Sequence, residues 1–65
     1  MNKNDGRDVT LAGGSNDGLT VKVYGRVLAI PAVDSPALKE IYVMTGHVRD
    51  GIEVWRFQST IRNDD

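Results

Sequence analysis

The chain has 65 residues, eight of them basic and nine acidic for a formal net charge of −1, with one histidine and no cysteine. That length allows one domain, which on folding buries only about 60% of the surface its unfolded chain exposes. The composition excludes a disulfide framework, a cysteine and histidine metal cage, and the basic excess that nucleic-acid binding requires. Small scaffolds usually add a disulfide, a metal or a partner to a thin core, so self-packing or a second subunit is what remains, and a homo-oligomer is among the partners expected.

Residues 1–7 hold Asn, Lys, Asp and Gly with no apolar side chain after Met1, and are expected to be a flexible leader. No apolar stretch serves as a signal segment and none approaches a membrane span, so a cytoplasmic protein without a membrane partner is expected. The folded unit should then occupy residues 8–62, followed by an acidic tail over 63–65.

Within that unit the dominant period is two, the mark of half-buried strands. Val9 and Leu11 alternate with Thr10 and Ala12, and Gly13-Gly14-Ser15-Asn16-Asp17-Gly18 supplies six turn formers in a row. Leu19, Val21 and Val23 alternate with Thr20, Lys22 and Tyr24. Gly25-Arg26 suits a type II′ hairpin leading to a third strand over Val27 and Ile30, with a bulge at Gly25 as the competing reading. Pro31 should end that strand, because it lacks the N–H a ladder needs. Ser35 before Pro36 resembles a helix start, so a single helical turn is predicted over residues 36–39, and a helix reaching Met44 is its alternative.

Asp50-Gly51 between two alternating stretches is the strongest local signal, since a type I′ turn needs positive φ at both central positions. Counting outward from it sets Gly46 opposite Trp55, Met44 opposite Phe57 and Tyr42 opposite Ser59. One face then gathers Tyr42, Met44, Trp55, Phe57 and Ile61, and the other Val43, Thr45, His47, Val54, Arg56 and Gln58. The prediction is an all-β fold of about five short strands, an antiparallel meander or small open barrel.

The chemistry is sparse. His47 is the only candidate for a general base in the sequence, and no orienting partner accompanies it, so no catalytic residue is assigned. One histidine without cysteine does not make a zinc site, Asn2, Asn4 and Asp5 lack the closing acid of a calcium loop, and Gly13-Gly14 is followed by no Lys-Ser or Lys-Thr pair of a phosphate loop. No metal and no cofactor are expected. Tyr42, Trp55 and Phe57 with Arg56 between the last two are of the residue types that stack on bases or anchor protein interfaces. The predicted register puts the three rings on the apolar face while Arg56 points the other way, so core packing is the better account of the rings. An aromatic edge beside an arginine is also what a protein interface would use, which makes these four residues the candidate recognition set, with Trp55 either core or interface.

Four stretches carry a resemblance. Val9-Thr10-Leu11-Ala12-Gly13-Gly14, Glu40-Ile41-Tyr42 with Thr45-Gly46, Val54-Trp55-Arg56-Phe57 and Thr60-Ile61 are similar to a family of short stand-alone proteins of unknown function, mostly actinobacterial and often found near natural-product gene clusters. The chain departs from that pattern at Ala12, where an acid is usual, after the double glycine, where a proline is usual, and in lacking an Ala-Glu ending. The resemblance implies a non-catalytic scaffold or carrier in peptide-derived natural-product biosynthesis, whose folded part is recognised by a modifying enzyme. Peptide aminoacyl-tRNA ligases extend such carriers, which would make Asp65 the modification site. The alternative is an adaptor that binds its partner through an exposed strand edge or aromatic face.

Overall fold

The computed structural model describes residues 6–62. Five strands follow one another: β1 (Arg7–Ala12), β2 (Thr20–Val23), β3 (Val27–Ala32), β4 (Ser35–Arg49) and β5 (Ile52–Arg62). They form one sheet in the order β2-β1-β5-β4-β3, which curls into a nearly closed, barrel-like shape. The all-β expectation holds, but the meander does not. β1 runs parallel to β5, with Leu11 beside Trp55, and every other pair is antiparallel. A local pattern cannot announce this pairing, because it joins the two ends of the domain.

The Asp50-Gly51 turn is present, with φ of 55° and 81° at its two residues, and Arg49 lies opposite Ile52. The register beyond it differs from the outward count. Met44, not Gly46, pairs with Trp55, and Tyr42 pairs with Phe57. Thr45 and Gly46 bulge out of β4, where Gly46 takes a φ of 86°. The Thr45 hydroxyl donates to the carbonyl of Val54 at 2.6 Å and accepts the N–H of His47 at 2.9 Å, so a side chain stands in for the interrupted ladder. A second irregularity leaves Gln58 unpaired: Ile41 lies opposite Ser59 while Tyr42 lies opposite Phe57. One extra residue reverses the faces of all that follows. Ile61 therefore turns outward and is 48% exposed, away from the core face predicted for it.

Three further expectations are corrected. Gly25-Arg26 does not close a hairpin: Gly25 is not among the positive-φ glycines, as a type II′ turn requires, and β2 and β3 are the two unpaired edges of the sheet. Pro31 does not end β3, which reaches Ala32, because an edge strand has positions where a missing N–H breaks no rung. Residues 36–39 are extended at the start of β4, with no helix among the described residues. Pro36 falls in the irregular stretch between the Ala32–Ser35 and Pro31–Lys39 pairs, and Leu38 gains a β5 partner in Arg62, which a single helical turn could not offer. Val33 and Asp34 form the turn between β3 and β4.

The core is the inner face of the curled sheet. Val9, Leu11, Val23, Tyr42 and Trp55 are fully buried, and Val21, Leu28, Ile30 and Phe57 pack against them. The strand begins one residue inside the expected leader, since Arg7 already pairs with Val23. The remaining leader residues 1–5, and the tail 63–65 with the candidate modification site Asp65, lie outside the described residues.

Candidate functional site

The four residues singled out as a recognition set divide between core and surface. Tyr42 and Trp55 are inaccessible to solvent, so they support a partner surface only from beneath. Phe57 is half-buried and meets Tyr42 edge to face, with ring centroids 5.8 Å apart. Arg56 is exposed. The ladder alternation that turns Trp55 inward necessarily turns Arg56 out.

A buried carboxylate is the feature that the sequence did not disclose. Glu40 is 5% exposed, and the 13–18 loop wraps onto it. The backbone N–H of Ser15 donates to both of its oxygens, at 3.1 and 2.9 Å, and Asn16 Nδ2 donates to Oε1 at 2.9 Å. The Tyr42 hydroxyl lies 3.0 Å from the same oxygen and 2.6 Å from the carbonyl of Gly13. Burial alone would raise the carboxyl, but hydrogen bonds from Ser15, Asn16 and Tyr42 outweigh it and hold Glu40 at about 2. Burial and then the neighbouring carboxylate push Tyr42 up to about 12. Neither group exchanges a proton near neutrality, so the cluster is built to hold a loop. The available signal was Glu40 two residues before Tyr42, hence on the same inward face, with a glycine-rich loop elsewhere to cover it.

The same loop also reaches β3. Asn16 Nδ2 donates to the carbonyl of Pro31 at 3.1 Å and the Ser15 hydroxyl accepts the N–H of Val33 at 2.9 Å. The turn between β1 and β2 thus fastens one end of the seam between the two sheet edges. Gly14 makes the approach feasible: a Cβ there would sit 2.5 Å from the Tyr42 hydroxyl and 2.9 Å from Glu40 Oε1.

A second polar cluster finishes the rim of the barrel near the β4–β5 turn. Trp55 Nε1 donates to Glu53 Oε1 at 2.9 Å, and Arg7 Nε donates to Glu53 Oε2 at 2.9 Å. The Arg7 guanidinium stands 5.8 Å from the centroid of the Trp55 ring, within cation–π range. The Glu53 carboxyl is held below its ordinary range, first by the indole N–H and, against slight burial, by Arg7. Glu40 and Glu53 are the only acids of β4 and β5, and both turn inward.

The outer face of these strands is cationic in consequence. Registry places Lys39, Arg49 and Arg56 there, with Ile41, Val43 and Ile61 between them and Val27, Ala29 and Pro31 continuing the surface across β3. Among the described residues no group of three His, Cys, Asp or Glu could hold a metal ion, and no helix is long and apolar enough to cross a membrane. No protein-family model matches the sequence, and neither does any curated protein or solved structure.

Proposed function

We propose that this protein is a non-catalytic recognition module that engages a protein partner with the outer face of β4 and β5. The observation that supports this reading is the sorting of charge: Lys39, Arg49 and Arg56 point outward while both acids of the two strands are used inside. An apolar surface studded with cations on a rigid sheet suits a partner with an acidic patch, because complementary potentials steer association and select the partner. Arginine beside exposed aliphatic side chains is also a usual composition for an interface centre. The test is capture of partners from native lysate by wild type and by a Lys39→Glu, Arg56→Glu double variant. Loss of a specific partner at unchanged thermal stability supports the reading, and retention of every partner by the variant overturns it.

The carrier role implied by the family resemblance is a narrower form of the same proposal, in which the partner is a modifying enzyme and the domain is its handle. The position of β5 favours it. The strand after which Asp65 follows in the sequence lies between β1 and β4, at the centre of the sheet that a modifying enzyme would grip. Incubation with the cognate ligase, charged transfer RNA and ATP should raise the intact mass by one amino-acid residue at Asp65. An unchanged mass leaves the adaptor form of the proposal.

A further inference from the structure

The edge of β3 has a definite pattern of unused backbone groups. The carbonyl of Pro31 accepts from Asn16 across the seam and the N–H of Val33 is likewise taken by Ser15. In a strand the N–H and C=O of one residue point to the same side and alternate from residue to residue. Val27 and Ala29 therefore share the orientation of Pro31 toward the seam, whereas Leu28 and Ile30 bond to Tyr42 and Glu40 on β4. Pro31 sits where its missing N–H interrupts no rung. No strand pairs with β3 on that side, so two N–H and two C=O groups of Val27 and Ala29 have no ladder partner, and both residues are exposed.

Natural edges are guarded by charge, by proline or by a covering element. β3 has Pro31 and the 13–18 loop at one end, and no charged residue anywhere in Val27–Ala32. The other edge differs. β2 carries Lys22 within only four residues, so pairing it with itself would bring two ammonium groups together.

We propose that β3 pairs with β3 of a second copy in an antiparallel, two-fold arrangement centred on Leu28. Val27 then lies opposite Ala29 of the second copy, and Ala29 opposite its Val27. Each pair exchanges two hydrogen bonds, which uses all four free groups of each edge. Because the register sum is even, inner faces meet inner faces and outer faces meet outer faces. Val27 and Ala29 extend the apolar outer surface across the junction, Leu28 meets its own counterpart, and Arg26 lies opposite Ile30 rather than another cation. The contact is isologous and closes at two copies. It also supplies the association that a domain of this size without disulfide or metal would use. The outer face of β4 and β5 stays free and is presented twice.

Sedimentation equilibrium from micromolar to millimolar concentration tests this. The expected result is a concentration-dependent doubling of mass, with slowed exchange of the Val27 and Ala29 amides and no change along β2. Ala29→Pro removes a seam-facing N–H without touching the β3–β4 ladder. It should weaken association at least about thirtyfold, since two of the four hydrogen bonds go at about 1 kcal/mol each. If that variant does not fold, Val27→Lys at an exposed position decides, and it should give a monomer that re-associates at high salt. A wild type that stays monomeric at millimolar concentration overturns the proposal. So does an Ala29→Pro or Val27→Lys chain that folds and associates as wild type, or an open-ended series of oligomers.

Discussion

A carboxylate that accepts three donors in a nearly dry place does most for a protein when it cannot leave its charged form. The ordinary value for Glu40 is 4.5 and its folded value is about 2, so the folded state binds the proton less readily than the unfolded chain. Its contribution is complete above about pH 4.5 and disappears as the pH falls through about 2. Allowing for screening in so thin a domain, that contribution is ~1–3 kcal/mol. Thermal melts between pH 5 and pH 2 should therefore fall more steeply for wild type than for Glu40→Gln. Parallel curves would remove Glu40 from the acid response. Glu40→Ala strands the donors of Ser15 and Asn16 and should cost ~2–4 kcal/mol. Gly14→Ala isolates the steric side of the same contact. Gly14 and Gly18 both have positive φ, but a Cβ at Gly18 meets nothing within 4 Å. Gly18→Ala should cost about 1–2 kcal/mol of backbone strain, and Gly14→Ala clearly more. Equal losses would show that crowding against Tyr42 does not matter.

At the level of strands and turns, the legible features were those whose cause is local. Asp50-Gly51 carries its own conformational requirement, and the alternation of Val9, Leu11, Val21 and Val23 reports which side faces the core. The bulges were not legible, because each is decided by a partner. Thr45 reads as an ordinary strand residue until its hydroxyl is seen to join Val54 and His47, and the slip at Gln58 exists only in relation to β4. The helical turn predicted from Ser35-Pro36 failed for a related reason: a cap signal is local, and the tertiary gain of an extended Leu38 and Glu40 overrides it. Glu40 itself was hidden because its donors come from a loop 25 residues earlier. Thr45→Val tests the side-chain rung. It keeps shape and β-propensity but loses the hydroxyl, so it should cost about 1–2 kcal/mol and speed exchange of the His47 amide, with Thr45→Ser restoring protection. Unchanged protection in the valine variant would place the bulge under the control of Gly46 alone.

Seen as a whole, the molecule has one layer of strands and one inner face, so its stability depends on few side chains. A domain of this length has a total of about 3–10 kcal/mol, whereas removing a buried tryptophan costs ~3–5 kcal/mol. Trp55→Ala should consequently leave the chain largely unfolded at room temperature, visible as loss of β circular dichroism. A cooperative transition of wild-type midpoint would contradict the central place given to that ring.

The parallel contact between β1 and β5 governs more than shape. β5 is the last of the five described strands and the one in the middle of the sheet, with β1 and β4 on either side. Until it is in place the molecule consists of two separate hairpins, β1 with β2 and β3 with β4, and neither can bury the residues that later surround Trp55. During synthesis, then, these hairpins wait with exposed edges until β5, the strand that unites them, has emerged. Chains cut short before Ile52 would retain no partial domain, only two marginal hairpins open to pairing with other chains.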